Sequence, residues 1–598
     1  MSSVTLEPQP FLKTTLPAAK RPPLSQNTNL SLLHLCKHLQ EAVQIHALMI
    51  KSSQITDPYS AGRIAEFYAL SGPGSLRDAE KVRLSLQHPP IFIYNTIMRG
   101  YLNKESPSKS IRLFYQSLLD SVEPDRFTFT FALKACTQLR EINIGRQLHG
   151  HILKLGFGIS AHIRNKLIHL YALAGSMVDA RRVFDENPNQ DAVAWNSMLE
   201  GYAANMYGDL LHEFFHRMPQ RDIVSWNTII AYYIDVGEYE EAMVAFQAMQ
   251  ESKECFPNSI TLVSVLTAAS HLGALAQGKW IHAFIERHQI ELNENLCSSL
   301  INMYSKCGCI QGAVNVFQEK NWDKVDNWNS MLAGFTANGH GLKAINLFST
   351  MESVGVVPNK ISFTCVLNAC SHGGLVEEGK EYFHKMTEFY GIQPDIGHYG
   401  CMVDLFSRAG LFDQAEEIIG KMPMVPDPVI WKQLLGACRI HRNFDLGEKA
   451  GCKLIEAAPN DHAGYILLSN IYAMKNNWHG VHEIRRMMLE TGVKKVPGCS
   501  SIELNGVLHV FTAGDGSHAM KKEIYEMLEE MGKRLRLAGY EPDTTQVLLD
   551  IEEEDVKQTS LSHHSEKLAI ALGLICTNQG TTIRVVKTLG YVETVMLQ

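Results

Sequence analysis

The sequence lacks a long apolar run, an excess of positive charge and closely spaced cysteines, and each absence argues against a class of protein. Its longest uncharged stretch, residues 255–278, contains proline, asparagine, serine, threonine and histidine. A membrane-spanning helix needs about 20 predominantly apolar residues. The sequence therefore predicts no membrane span.

Positive charge is not in excess, because 55 basic side chains stand against 63 acidic ones and the formal net charge is −8. Proteins that hold nucleic acid mainly through its phosphates usually carry a basic surface. Any nucleic-acid binding by this chain must therefore depend on base edges and stacking.

The 13 cysteines are dispersed, and Cys307 and Cys309 form the closest pair. No CxxC spacing, which is common in metal and redox sites, occurs in the sequence. Disulfide frameworks are typical of much smaller secreted domains. We expect reduced cysteines that mostly fill the core.

The N-terminal segment 1–28 differs in composition from the rest of the chain. It is rich in serine, threonine and proline, carries Lys13, Lys20 and Arg21, and contains one acid, Glu7. This composition is typical of an organelle transit peptide, and the scarcity of arginine favours a plastid, with a mitochondrion as close second. An ordinary disordered terminus is the alternative.

An aromatic residue followed by asparagine recurs at positions 94–95, 195–196, 226–227 and 328–329. Two of the intervals between these pairs are long and one is short. Other recurring phrases, such as Ala132–Ala135, divide each long interval into two units of about 35 residues and one unit of about 31 residues. Three unit types therefore follow one another in a fixed order, which is typical of a repeat architecture.

Each unit contains two amphipathic stripes of helical period, separated in residues 192–222 by Gly208-Asp209 and closed by Pro219. A two-helix unit cannot bury its apolar stripe alone, so neighbouring units must stack. The two stripes of this unit are Trp195, Met198, Leu199 and Tyr202, and Leu211, Phe214, Phe215 and Met218.

The units open with the aromatic–asparagine pair, contain a Gly-Tyr pair and an Ala-x-x-x-Phe pattern (Ala180 and Phe184), and close with Pro-Asp or Pro-Asn. In length and motifs they resemble pentatricopeptide repeats. The three-type cycle resembles the plant PLS subclass. The resemblance implies an all-α fold, an α-solenoid over residues 29–427, that binds single-stranded RNA at one base per repeat. Tetratricopeptide repeats, which bind proteins, have a uniform period of about 34 residues and another signature.

In that family the fifth and last residues of a unit select the base, and an apolar second residue stacks on it. The reading pairs implied here are Asn95 with Asp125, Asn165 with Asp191, Asn196 with Asp222, Asn227 with Asn258, Asn329 with Asn359, and Thr364 with Asp395. The stacking residues implied are Phe92, Val193, Val224 and Ile361.

The chemistry of these pairs suits pyrimidines, because asparagine offers both a donor and an acceptor. Aspartate in the last place favours the N3–H of uracil, asparagine there tolerates cytosine, and threonine with aspartate is the family's choice for guanine. The implied target reads, 5′ to 3′, U, a gap, U, U, C or U, further gaps, C or U, and G. Stacking at about 1–3 kcal/mol per base offsets a negative surface.

Some units depart from this pattern. Val263, Gly400 and the combination of Ser298 with Lys324 are not informative pairs, and Asp326 stands where an apolar residue is expected. We expect these repeats to space the array. For any single asparagine the alternative is a capping role at a helix N-terminus, but five of them at one repeat position favour base reading.

The repeat pattern weakens after Asp427. Residues 428–495 resemble the E-type extension of PLS proteins, and Pro497–Glu503 resembles the segment that opens their DYW deaminase domain, with Ser501 in place of the usual tryptophan. We expect a small, incomplete α/β domain of cytidine-deaminase type over residues 496–589 and a divergent tail at 590–598.

His564-Ser565-Glu566 matches the H-x-E of zinc deaminases, in which the histidine binds the metal and the glutamate is the general acid and base. A catalytic zinc needs three protein ligands, yet the only cysteine after Glu566 is Cys576, which matches no ligand position. The implied metal role of His564 and catalytic role of Glu566 are therefore expected to be vestigial. No cofactor is expected for the chain alone, and zinc only if another protein or a longer C-terminus completes the site.

These features favour a site-recognition factor for C-to-U editing of organellar RNA, with deaminase activity supplied or completed by a full DYW-type deaminase or other editing-complex proteins. Three alternatives are a factor for RNA stability, splicing or translation, a self-sufficient deaminase, and a protein-binding scaffold. The E-type and DYW segments argue against the first, the missing CxxC against the second, and the repeated asparagine–aspartate pairs against the third.

Overall fold

The structure of the protein, a computed structural model, describes residues 30, 32–72, 74–186, 190–252, 254–319, 324–494, 498–504, 506–540, 564–589 and 592–597. The predicted transit peptide at residues 1–28 lies outside these ranges. The chain forms two compact units, one ending at Thr228 and the other beginning at Ile229.

Short helices joined by tight turns build the first unit. Many of them begin at a capping residue: Asp57, for example, accepts the backbone N–H of Ser60 at 2.9 Å, which satisfies a donor that the helix itself leaves unpaired. The helices are α1 (Leu39–Lys51), α2 (Pro58–Leu70), α3 (Leu76–Leu84), α4 (Ile91–Asn103), α5 (Pro107–Leu119), α6 (Arg126–Leu139), α7 (Ile142–Lys154), α8 (Ala161–Leu173), α9 (Met177–Asp185), α10 (Ala192–Ala204) and α11 (Gly208–Arg217); α12 (Ile223–Val236) contains the boundary.

The same alternation continues in the second unit. Its helices are α13 (Tyr239–Ser252), α14 (Ser259–Leu272), α15 (Leu275–Arg287), α16 (Glu294–Lys306), α17 (Ile310–Gln318), α18 (Val325–Ala337), α19 (Gly341–Ser353), α20 (Lys360–Gly373), α21 (Val376–Glu388), α22 (Ile396–Arg408), α23 (Phe412–Lys421), α24 (Pro428–Ile440), α25 (Phe444–Ala457), α26 (His462–Met474) and α27 (Trp478–Glu490).

The first helices of neighbouring repeats pack side by side, and glycine permits the contact. Helix α8 packs on α10 in the first unit, and α16 packs on α18 in the second. Gly201 of α10 lies where a Cβ would stand 2.4 Å from the Cβ of Ala172, so no larger residue is accommodated there without a shift. The Gly-Tyr pair of the sequence thus reflects close helix packing, with Tyr202 buried beside the glycine.

The predicted stripes of residues 192–222 lie on α10 and α11, with Met218 directly after the end of α11, and most of their side chains are buried. Helix α11 ends at Arg217, before Pro219, as predicted. One detail differs: Gly208 and Asp209 do not separate the two helices but form the first residues of α11. A negative side chain is favoured in a first turn because of the helix dipole, which suits Asp209 to this place.

After α27 the chain forms four strands, β1 (Cys499–Leu504), β2 (Val507–Thr512), β3 (Arg584–Leu589) and β4 (Val592–Leu597). They pair as an antiparallel sheet in the order β2-β1-β3-β4. Helix α29 (Ser565–Cys576) packs on the sheet and helix α28 (Lys521–Leu537) packs on α29, around a core that includes Ile502, Phe511 and Leu572. The backbone of residues 592–597, which the sequence assigns to a divergent tail, pairs with β3.

The predicted fold class, an α-solenoid followed by a small α/β domain, is confirmed. No helix within the described ranges is both long enough and apolar enough to cross a membrane. None of the 13 cysteines, all of which lie in the described ranges, forms a disulfide. Cys136, Cys297 and Cys438 are among those that fill the core, whereas Cys452 and Cys576 are exposed.

Candidate nucleic-acid interface

The predicted reading residues occupy one fixed point of each first helix. The six first helices that carry them begin where the sequence units were predicted to begin, so each candidate is the fifth residue of its helix. These residues are Asn95 in α4, Asn165 in α8, Asn196 in α10, Asn227 in α12, Asn329 in α18 and Thr364 in α20.

In four of these repeats the fifth residue donates its side-chain amide to the last residue of the same repeat, 26 or 30 positions later. The amide therefore links one first helix to the start of the next. The distances are 3.0 Å for Asn95–Asp125, 2.9 Å to both oxygens for Asn165–Asp191, 2.9 Å for Asn196–Asp222 and 3.2 Å for Asn329–Asn359.

The last residue of the repeat also caps the following helix. Asp125, for example, accepts the backbone N–H groups of Phe127 and Thr128 at 2.9 Å. The last residue of a repeat is therefore the one that caps a helix. Asn258 caps α14 and Asp395 caps α22 in the same way. The asparagines in fifth place lie inside their helices, so the capping alternative does not account for them.

The carboxamide oxygens of three fifth-place asparagines have no hydrogen-bond partner among the described residues. These are Oδ1 of Asn95, Asn165 and Asn196. Asn95 and Asn165 are only 6% exposed. A buried polar atom without a partner is costly, so hydrogen bonding at these three sites is incomplete among the described residues.

Asn329 differs from the other three. Its Oδ1 accepts the hydroxyl of Ser362 at 2.6 Å while its amide donates to Asn359. Both Ser362 and Asn359 belong to the start of helix α20 and its cap. The Asn329 side chain is consequently held on both sides.

The pair Thr364 and Asp395 shows no direct hydrogen bond. Fully buried His398 lies between them: its Nε2 is 3.3 Å from the Thr364 hydroxyl, and its Nδ1 accepts the backbone N–H of Asp395 at 3.1 Å. Nε2 donates to the carbonyl of Lys360 at 2.9 Å. The structure thus brings this predicted pair together through a third residue that the sequence pattern did not identify.

The irregular repeat with Ser298 and Lys324 uses other partners. The Ser298 hydroxyl donates to Asn327 at 2.7 Å, three positions beyond the usual last residue. Lys324 pairs instead with Glu294 at 2.5 Å. Lysine cannot accept a hydrogen bond. The side-chain hydrogen bond between helices α16 and α18 is therefore made by Asn327 in place of the last residue, Lys324.

The predicted stacking residues are exposed despite being apolar. Phe92, Val193, Val224 and Ile361 are 50–58% exposed. In four other repeats, the second residue of the first helix is also apolar and exposed. The sequence pattern did not single out these residues, although they have the same spacing. They are Tyr59, Phe127, Ile260 and Val429.

A groove of about 740 Å³ runs along the first helices α14, α16, α18 and α20. Its lining includes the fifth residues Val263, Ser298 and Asn329, together with the second residues Ile260 and Ile361. The irregular residues Val263, Ser298 and Asp326 therefore face the same groove as Asn329. In this part of the chain, second and fifth residues form one continuous lining.

In the C-terminal domain, Glu566 of α29 forms an ion pair with Lys587 of β3, and both side chains are largely buried. Burial opposes ionisation of Glu566, but the hydrogen bond and charge of Lys587 outweigh it, so the pKa of Glu566 lies below its usual value. A general acid and base works best with a pKa near the working pH. Glu566 is instead held as a paired carboxylate.

The described residues around Glu566 do not fit a zinc ion. His564 is half-exposed, and its Nδ1 lies 4.0 Å from Glu566, which Lys587 already engages. The one described grouping of three side chains able to hold a metal lies in the repeats, at His282, Glu286 and Glu319. A catalytic zinc requires three protein ligands close together, and His564 has no such set near it in the described ranges.

Family models match both the repeats and the C-terminal region. The PPR repeat family matches residues 221–271 and 323–372, and the PPR repeat matches 193–223, 296–320, 361–390 and 397–424. The E motif matches residues 441–503, and the DYW family of nucleic acid deaminases matches 539–595.

Relatives match over nearly the whole chain. A pentatricopeptide repeat-containing protein of Arabidopsis thaliana is 42% identical over 577 residues, which cover 93% of this chain and 89% of the relative. Another, named chloroplastic, is 36% identical over 681 residues, covering 96% of this chain and 92% of the relative. The crystal structure of the pentatricopeptide repeat protein PPR10 from maize aligns with a TM-score of 0.49 and 17% identity, covering 92% of this chain and 95% of that chain.

Proposed function

This chain belongs to the pentatricopeptide repeat family, and on that premise we propose that it binds single-stranded RNA in a sequence-specific manner, one base per repeat. The observation that carries the proposal is the recurring link from a fifth-place asparagine to the last residue of its repeat, at 2.9–3.2 Å in four repeats. Such a link fixes the orientation of the asparagine side chain on its helix, as a base-reading residue requires.

Exposed apolar residues in second place support the same function. A base held between two of them would gain stacking energy of about 1–3 kcal/mol. Phe92 and Val193 precede reading asparagines by three residues on the same helices. The net charge of −8 suits a protein that gains its affinity from bases more than from phosphates.

We further propose that the bound RNA is an organellar transcript and that the chain selects a site for C-to-U editing. The matches to the E motif and to the DYW deaminase family support this role. The paired state of Glu566 supports a division of labour in which another protein supplies or completes the deaminase. Relatives named chloroplastic or chloroplastic/mitochondrial support an organelle, with the plastid favoured.

RNA binding is tested with the full chain and two short RNAs. The first carries uridines opposite the repeats of Asn95, Asn165 and Asn196, and the second carries adenosines there. We expect the second RNA to bind at least about tenfold more weakly, because each lost hydrogen bond costs about 1 kcal/mol. Equal affinity for both RNAs would overturn the proposal.

The editing role is tested in a plant that lacks the protein. Sequencing of plastid and mitochondrial transcripts should show at least one cytidine that is no longer converted, downstream of a matching sequence. Complete editing at every site, together with altered transcript levels or splicing, would replace the editing role with one in RNA stability or processing.

A further inference from the structure

Two serines occupy the same place in their repeats but make different contacts. Ser225 and Ser362 are each the third residue after the last residue of the preceding repeat, and both are fully buried. The Ser225 hydroxyl donates to the backbone carbonyl of Asp222 at 2.8 Å. The Ser362 hydroxyl lies 2.6 Å from Oδ1 of Asn329.

The proton on Ser362 is directed to Asn329 because the serine oxygen already accepts the backbone N–H of Asn359 at 3.1 Å. A hydroxyl has one proton to donate, and Asn329 is its nearest acceptor, with Asn359 Oδ1 farther away at 3.1 Å. The Asn329 oxygen is therefore occupied on one side, whereas the oxygens of Asn95, Asn165 and Asn196 accept no hydrogen bond from the described residues.

This difference matters for pyrimidines. Uracil presents a donor at N3, which requires an acceptor on the protein, whereas cytosine presents an acceptor at N3. The Asn329 oxygen accepts the Ser362 hydroxyl, and one N–H of the Asn329 amide donates to Asn359. The second N–H of the amide is then the group of Asn329 best able to bond a base, and it is a donor. We infer that Ser362 is a specificity-determining residue that biases the repeat of Asn329 towards cytidine over uridine, an inference that rests on the proposed RNA binding.

Replacement by alanine isolates the hydroxyl. The backbone N–H of Ser362 donates to Asn359 at 3.0 Å and remains in place, so the cap of α20 is retained. Ser225→Ala is the matched control, because it removes a hydroxyl from the same repeat position without touching Asn196. Ser362→Thr restores a hydroxyl, and threonine occupies the equivalent buried place at Thr128.

The experiment measures affinities of the full chain for RNAs with cytidine or uridine opposite the repeat of Asn329. We expect Ser362→Ala to shift the ratio of cytidine to uridine affinity about fivefold towards uridine, the value of one hydrogen bond. Ser362→Thr should restore the wild-type ratio, and Ser225→Ala should leave the ratio opposite Asn196 unchanged.

Two failures are distinguishable. A wild-type chain that binds all RNAs alike contradicts the proposed function itself. A wild-type chain that discriminates at the uridines facing Asn95, Asn165 and Asn196, but whose ratio opposite Asn329 is unmoved by Ser362→Ala, overturns the role of Ser362 alone. If the alanine variant does not fold, Ser362→Cys, which keeps a weaker donor, must give a shift in the same direction, and no shift overturns the inference.

Discussion

Asn165 donates its side-chain amide to both carboxylate oxygens of Asp191 at 2.9 Å, although the two lie 26 positions apart in the chain. Asp191 at the same time caps helix α10 through the backbone N–H of Ala194. One aspartate therefore fixes both the start of a helix and the orientation of the asparagine on the helix before it. This double role explains how a helical stack can hold polar side chains in place before RNA binds.

The first prediction concerns base choice at a single repeat. Replacing Asn196 by threonine while keeping Asp222 should move the preference at the facing base from uridine to guanosine, because threonine with aspartate matches the guanine-selecting pair that the family resemblance implies. Competition binding with RNAs that vary only this base measures the change. Asn205→Thr is the control, because Asn205 lies at the C-terminal end of α10 and belongs to none of the reading pairs. An unchanged base preference in Asn196→Thr rejects the assignment.

The second prediction concerns stacking. Val224 is half-exposed in second place, and Val224→Asp should weaken RNA binding by about 1–3 kcal/mol through lost stacking, with little change in stability. Val178, which is more exposed and lies on the second helix α9, offers a matched control as Val178→Asp. Equal effects of both variants on RNA affinity would show that charge alone, and not stacking, is responsible.

The third prediction concerns salt. Proteins with 6–10 phosphate contacts lose roughly 10³–10⁵ in affinity between 50 and 200 mM salt. If this chain holds RNA chiefly by bases, its affinity for the matching RNA should fall less than about tenfold over the same range. Binding measured by fluorescence anisotropy at several salt concentrations checks this, and a steep dependence would assign the affinity to phosphates.

The fourth prediction concerns the ion pair of Glu566 and Lys587. Lys587→Met leaves a largely buried carboxylate without its partner and should destabilise the C-terminal domain by about 2 kcal/mol, somewhat below the cost for a fully buried pair. Urea denaturation or hydrogen exchange of α29 measures the loss. Lys522→Met, which removes an exposed lysine of α28, should have little effect.

The pH dependence of this loss has a definite sign. Because the pKa of Glu566 is depressed in the folded state, its stabilising contribution is present above the unfolded pKa of about 4.3 and is lost as the pH falls through the folded value. The stability difference between wild type and Lys587→Met should therefore shrink as the pH falls below about 4.3 and through the depressed folded pKa of Glu566. A difference that grows on acidification would contradict the pairing.

The starts of the first helices of the repeats were predictable from sequence because local rules set them. An apolar stripe of helical period identifies each helix, and an aspartate or asparagine before it supplies a cap, as at Asp125 and Asn258. The same register places every reading candidate in fifth position. The roles of these residues in RNA recognition remain predictions.

Other features depend on contacts that the repeat pattern does not contain. Ser225 and Ser362 are the same residue at the same place, yet one bonds to the backbone and the other to an asparagine of the preceding repeat. Lys587 meets Glu566 only because β3 pairs with β1 and places its side chain beside α29. Such partners follow from packing and strand register, which a single sequence does not specify.

The most direct test of base reading is selection of bound RNAs from a randomised pool by the full chain. We expect an enriched motif with uridine at the first, third and fourth positions, facing Asn95, Asn165 and Asn196, and a pyrimidine at the fifth, facing Asn227. Enrichment of RNAs with no common motif, or of a motif without those uridines, would contradict it.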